Sequence, residues 1–281
     1  MVQPSTNFAL EYALASDPGQ MRPLNEDAIG ARPDLGLFVL CDGLGGYNAG
    51  EIASTMAVSS LLSTLADDYE QATAAGLAFD VRTVLTARLA EMGNRIAGAA
   101  ANSTAFEGMA TTIVVAWVLS DRLWVAHAGD SRLYRFREGV LEGLTRDHSF
   151  SQELLDAGMV TEEEARVLPA KNLVTRALGA GPDVEPEVNE YPLRVGDVLM
   201  LCSDGLTEMI DDVQIAGAIF ASVPDVQRAA QRLIDLANAA GGRDNISVIV
   251  IRLAGRKGLE PRRTSPQRKA VESLPSATPS G

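Results

Sequence analysis

The chain has 281 residues, 46% of them hydrophobic, with 24 Lys and Arg against 37 Asp and Glu and a net charge of −13. Such apolar content excludes disorder of the whole chain, no apolar run is long enough for a membrane span, and the acidic balance argues against nucleic-acid binding, which wants a basic face. Residues 1–10 lack the basic start and apolar stretch of a signal peptide, so the expected compartment is the cytoplasm.

Taken in chain order, the apolar run 37–40 has the length and branching of a buried strand and stops at Cys41-Asp42-Gly43. Helical periodicity follows over 51–65 and 77–101. Residues 111–119 and 123–128 are expected to form a hairpin around Ser120-Asp121, and 133–137 a strand ending at a Glu138-Gly139 turn. The stretch 147–187 is polar, mixed helix and loop, with Thr161 capping a helix whose first turn is Glu162-Glu163-Glu164. Residues 198–201 form a second buried strand ahead of Cys202-Ser203-Asp204-Gly205. Val226, Ala230, Leu233 and Ala237 make one apolar stripe on a helix, and 246–253 a strand apolar on both faces. Many strands with a few long amphipathic helices suggest stacked sheets with helices outside. From Gly255 onward six Lys or Arg and two Glu give +4, leaving −17 on the remainder. That Pro-, Ser- and Arg-rich segment, 255–281, is expected to be a disordered tail. Cys41 and Cys202 are expected as reduced core residues.

The chemistry concentrates in three motifs that each place an aspartate at the end of an apolar run: Cys41 to Gly46, Cys202 to Leu206 and Gly241 to Ser247. A strand that stops at Asp-Gly delivers a carboxylate to the rim of a sheet, where glycine lets the backbone turn. Asp42, Asp204 and Asp244 converging from such rims would make an oxygen-rich pocket for a hard divalent cation. Any single Asp-Gly is also an ordinary hairpin turn. Order and company separate the two readings. Arg22 with Asn25-Glu26-Asp27, Asp42-Gly43 with Gly45-Gly46, Gly108 with Thr111-Thr112, Gly129-Asp130-Ser131-Arg132, Ser203-Asp204-Gly205 and Gly242 with Asp244-Asn245 occur in that order.

This series closely resembles the metal-dependent protein phosphatases, the type-2C serine/threonine family, over about residues 8–253. The resemblance implies an α+β fold, a four-layer α-β-β-α sandwich of two antiparallel sheets flanked by helix pairs, in a domain over 1–254 with a flap at about 147–187. It implies hydrolysis of phosphoserine and phosphothreonine by attack of a metal-bridged water, opposing a bacterial serine/threonine kinase, with phosphorylated proteins as substrates. Two Mg²⁺ or Mn²⁺ ions would be held by Asp42, the Gly43 carbonyl, Asp204 and Asp244. Glu26 and Asp27 would act through water on the metal, and Arg22 would bind the phosphate, its fork of donors suiting phosphate oxygens. Asp130 is either a turn cap or, as in bacterial members, a ligand of a weakly held third cation. The charge balance agrees: three aspartates, two divalent cations and Arg22 sum to about +2, while distant charge is screened over roughly 8 Å.

The chain departs from many eukaryotic relatives at Leu44, where a histidine is proposed as general acid; bacterial relatives also carry apolar residues there. Ala110 replaces a common glycine. His127 and His148 are expected in structural hydrogen bonds. Two other functions compete. A pseudophosphatase binding module is weakened by retention of Arg22 and every aspartate, and a calcium-stabilised binding protein by the lack of EF-hand spacing.

Overall fold

The computed structural model describes residues 8–45, 49–169, 173–181 and 184–255. The expected tail, apart from Gly255, lies outside the described residues. In chain order the strands are β1 (Phe8–Asp17), β2 (Ala28–Arg32), β3 (Leu37–Cys41), β4 (Gly43–Leu44), β5 (Ala110–Thr111), β6 (Ile113–Leu119), β7 (Arg122–Ala128), β8 (Arg132–Arg137), β9 (Val140–Gly143), β10 (Glu187–Pro192), β11 (Val198–Cys202) and β12 (Ile246–Gly255). The helices are α1 (Ala49–Ala74), α2 (Val81–Ala101), α3 (Phe150–Asp156), α4 (Glu162–Val167), α5 (Asp204–Thr207), α6 (Asp212–Ser222) and α7 (Val226–Ala239).

The central strands are apolar on both faces because each face meets a different layer. On β3, Leu37, Val39 and Cys41 pack with α1 and α2, while Phe38 and Leu40 point into the gap between two sheets. On β12, Val248 and Val250 meet α6 and α7, while Ile249 and Ile251 fill the same gap from the other side. One five-stranded sheet has the order β1-β12-β11-β8-β9 and the other β10-β7-β6-β3-β2. All their pairings are antiparallel. The result is α-β-β-α, as expected. Full burial of each Leu, Ile or Phe contributes roughly 1.5–3 kcal/mol, so a one-residue slip that exchanged the two faces would be strongly disfavoured.

Several boundaries differ from the sequence-based expectation. The first helix runs on to Ala74, past the last residue of its buried stripe at Ala66, because Tyr69 packs edge-on against Phe79 and Trp117 and Asp68 and Glu70 pair with Arg88 and Arg32. The second begins at Val81 because Asp80 caps it, accepting from Thr83 N at 3.2 Å, and Leu77 is left exposed. Thr111 leaves the expected hairpin: Ala110 and Thr111 pair with Leu44 and Gly43 in a separate two-stranded ribbon, and the long strand starts at Ile113. The last strand extends to Gly255, which pairs with Phe8. Thr161 forms a complete capping box with Glu164, and all four stripe residues of α7 are buried. Both cysteines are free and buried.

Candidate functional site

The site forms where β3, β11 and the start of β12 reach one end of the sandwich. Beyond β3 the Asp42 backbone is clamped by two threonines. Asp42 N donates to Thr112 Oγ1 at 2.9 Å, and Asp42 O accepts from Thr112 N at 2.9 Å and Thr111 Oγ1 at 2.8 Å. A Cβ on Gly43 would lie 2.3 Å from Gly50 O and 2.5 Å from Glu26 O, so only glycine lets α1 and the Glu26 loop close over it. Gly43→Ala is expected to destabilise the protein by more than about 3 kcal/mol, beyond ordinary overpacking; urea unfolding of metal-free protein checks this. On the other sheet, a Cβ on Gly205 would meet Asn245 O at 2.0 Å, the approach that brings Asp204 beside Asp244.

Asn245 belongs to the Gly241 to Ser247 motif, yet the motif alone assigns it no role. Its Oδ1 accepts from Glu26 N at 2.8 Å, and its Nδ2 donates to Pro18 O at 3.1 Å and Leu24 O at 2.8 Å. It thereby pins the loop carrying Arg22 and Glu26 onto the start of β12. Arg22 Nη2 donates to Asp244 Oδ2 at 2.7 Å.

These elements enclose a cavity of about 200 Å³ lined by Arg22, Glu26, Asp42, Gly43, Leu44, Gly45, Asp130, Val174, Asp204, Asp244 and Asn245. Every expected site residue except Asp27 faces it. Asp27 sits behind, its Oδ2 accepting from Ser203 Oγ at 2.8 Å and its charge acting on Asp42. Asp130 lies between strands of different sheets. The strand before it, β7, belongs to the sheet opposite β11; β8, which follows it, pairs with β11 through Arg132 and Cys202. Asp130 thus reaches the neighbourhood of Asp204 from the crossover between sheets.

Carboxylates crowded out of water resist ionisation. Burial, then the charges of Asp27 and Asp204, holds the Asp42 carboxyl well above the usual range. Burial, then Asp130 and Glu208, does the same to Asp204. Burial raises Asp27 to about 6, and burial with Asp147 nearby raises Asp130 to about 7. Glu26 is raised by burial, with Asp244 and Glu51 adding to it. The Arg22 guanidinium loses some hydration, but Asp244, Glu26 and Asp204 keep it firmly charged. Among the described lining residues Arg22 is the only cation facing five carboxylates. Glu26 Oε1 and Asp27 Oδ1 are buried without a hydrogen-bond partner. An all-oxygen donor set with surplus negative charge and orphaned carboxylate oxygens fits hard divalent cations.

A second group, His127, His148 and Glu187, places ligand atoms within 4.8 Å of one another. The two rings stack at 4.6 Å and 11°, so their in-plane lone pairs run nearly parallel. His148 Nδ1 accepts from Gly129 N at 3.3 Å, and the Arg176 guanidinium stands 3.5 Å from its Nε2. That surrounding opposes a cation. His127 Nε2 donates to Arg146 O at 2.9 Å, and the His148 backbone joins Gly129 O to Thr175 N, so both histidines brace the base of the 147–187 segment. Neither lines the acidic cavity. A larger cavity of about 400 Å³ around Thr175, Arg176 and Ala180 carries no comparable ligand cluster.

The profile of the family described as Protein phosphatase 2C matches residues 22–242. The serine/threonine protein phosphatase PstP of Mycobacterium tuberculosis is 39% identical over 245 residues, 86% of this chain and 45% of that protein. The chain thus spans about half the length of that relative. The serine/threonine phosphatase stp of Listeria monocytogenes is 36% identical over 239 residues, 84% of this chain and 93% of its own. The solved catalytic domain of PstP in complex with 2 manganese ions superposes with a TM-score of 0.76 at 37% identity, covering 87% of this chain and 98% of that one.

Proposed function

The chain belongs to the protein phosphatase 2C family, and on that footing we propose that it is a divalent-metal-dependent phosphatase acting on phosphoserine and phosphothreonine in proteins. The observation that carries this reading is the single cavity in which Asp42, Asp204, Asp244 and Asp130 face Arg22. Asp42, surrounded by the charges of Asp27, Asp204, Asp130 and Asp244, is the residue best set to serve two cations at once. Asp204 and Asp244 would complete the pair of sites with the Gly43 carbonyl. Mg²⁺ or Mn²⁺ bound there supplies charge neutralisation and an activated water at neutral pH.

The chain's own residues do the rest. Arg22 uses only Nη2 on Asp244 and keeps its other N–H groups for a phosphate entering from the half-exposed mouth. Glu26 Oε1 is the buried acceptor that would order water beside the cluster. Leu44 lines the cavity, and neither histidine of the chain does, so no imidazole protonates the leaving alkoxide. Its proton comes from water or from a carboxyl of the cluster. A serine/threonine kinase is the class of enzyme that would supply such a substrate.

The test is turnover of p-nitrophenyl phosphate and of a phosphothreonine peptide with Mn²⁺, Mg²⁺, Ca²⁺ or chelator. Hydrolysis with Mn²⁺ or Mg²⁺ and none with chelator is expected; tight peptide binding without hydrolysis would instead establish a pseudophosphatase. Asp130 gives a finer expectation. If it holds a third, weak cation, Asp130→Ala lowers turnover several-fold and flattens the rise in rate at about millimolar metal, one or two carboxylates being typical of weak Mg²⁺ sites. A Mn²⁺ titration of the rate, with melting temperature on the same samples, separates this from a turn cap, for which stability falls and the curve keeps its shape.

A further inference from the structure

Resting on that reading of the acidic cavity as a cation centre, we propose that Asn25, Ser16, Ser247 and Ser203 are positioning residues. They form a hydrogen-bond relay that reaches Asp27 through Ser203, fixing its Oδ2 and leaving its Oδ1 for the cation cluster.

Asp27 N donates to Asn25 Oδ1 at 3.2 Å, which turns the Asn25 amide so that Nδ2 donates to Ser16 Oγ at 2.8 Å. Ser16 Oγ and Ser247 Oγ are 2.8 Å apart. Either hydroxyl can donate to the other, and together they join β1 to the start of β12. Ser247 N donates to Ser203 Oγ at 3.0 Å, and Ser203 Oγ donates to Asp27 Oδ2 at 2.8 Å, with Asn245 O a longer alternative at 3.4 Å. The Ser247 backbone N–H can only donate, so Ser203 Oγ accepts there and turns its own proton to Asp27.

Ser203 and Ser247 are fully buried, so these bonds form away from competing water. Asp27 Oδ1 is buried and unpartnered. The Ser203 donor on the other oxygen holds the carboxylate in one orientation, which is how partners behind a metal ligand raise its affinity. Ser16 lies on β1 and Ser247 on β12, Ser203 follows β11, and Asn25 precedes β2, so the relay also ties both sheets to the cation end of the sandwich.

The experiment is calorimetric titration of chelator-stripped protein with Mn²⁺, with melting in EDTA on the same samples. The parent protein must bind Mn²⁺ and hydrolyse p-nitrophenyl phosphate; failure there overturns the cation-centre reading itself. Ser203→Ala is expected to raise the Mn²⁺ dissociation constant about tenfold, the lower end for partners behind metal ligands. Ser203→Thr keeps the hydroxyl and should remain within about threefold of the parent, since a retained donor preserves the bond. Ser16→Ala changes an exposed residue at the far end, leaves the core intact and should weaken Mn²⁺ by about threefold, the worth of one modest hydrogen bond. A merely structural role lowers the melting temperature in EDTA and leaves the Mn²⁺ constant at the parent value, which would overturn the relay. If Ser203→Ala does not fold, an unchanged constant in Ser16→Ala overturns it alone.

Discussion

Asp42→Asn, Asp204→Asn and Asp244→Asn are each expected to lower metal-dependent turnover by about three orders of magnitude, while Asp42→Asn and Asp204→Asn raise the melting temperature of the chelated protein. The first effect follows from losing roughly 4 kcal/mol of charge stabilisation at the reacting phosphoryl group, at about 1.4 kcal/mol per tenfold. The second follows from the cavity's electrostatics. Burial and neighbouring carboxylates penalise the ionised forms of Asp42 and Asp204, so an amide of the same shape relieves repulsion that cations would otherwise neutralise. A gain of about 1 kcal/mol corresponds to roughly 2–4 °C for a domain of this size. Activity loss accompanied by a fall in chelated stability would mean that these aspartates hold the fold together instead of holding metal.

Stability of the metal-free protein is expected to fall as pH rises from about 6.5 to 8, and Mn²⁺ to remove that fall. A carboxyl whose folded pKa lies above its unfolded value, near 4, keeps its proton longer in the folded state. Its stabilising contribution is complete below the unfolded value and is lost as pH climbs through the folded one. Asp27, raised to about 6, is spent by mid-range, whereas Asp130, raised to about 7, acts in the upper window; burial shifts Asp42 and Asp204 in the same direction. A tenfold difference in proton affinity between folded and unfolded chain corresponds to about 1.4 kcal/mol. Histidines work in the opposite sense lower down. His148, pushed to about 4 by burial and by His127, and His127, lowered by burial, are neutral in the fold. Between about 4 and 6.5 the unfolded chain takes up more protons on them, so stability there rises with pH and the two trends partly cancel. Above about 6.5 imidazoles are largely neutral in both states, and the carboxylates act alone. Cations compete with protons for the same oxygens, so metal should flatten the upper limb. A chelated protein that gained stability between pH 6.5 and 8 would contradict this reading of the cavity.

Much of the cation end was legible in the sequence because strands that stop at Asp-Gly follow a local rule. Asp42 follows β3 directly and Asp204 follows β11 after Ser203, whereas Asp244, expected at the end of an apolar run, instead lies just ahead of β12. The α7 stripe was equally local, every third or fourth residue being buried. What could not be read is set by distance along the chain. Asn245 holds Glu26 across 219 residues, and Ser203 holds Asp27 across 176; no spacing rule joins such pairs. The route of Asp130 to the cavity could not be read for a related reason, since antiparallel neighbours in sequence are not always in one sheet: β7 and β8 are joined by a short turn yet lie in opposite layers. Leu77 carries helical periodicity but stands outside the helix because the Asp80 side chain ends it more sharply than hydrophobic spacing would.

The central claim is that the buried carboxylates at this end of the sandwich hold divalent cations. Anomalous diffraction at the manganese edge from crystals grown with Mn²⁺ tests it most directly. The expected result is two strong peaks between the carboxylates of Asp42, Asp204 and Asp244 with the Gly43 carbonyl alongside, absent in Asp42→Asn crystals. Manganese bound instead at His127, His148 and Glu187, with none in the acidic cavity, would contradict it.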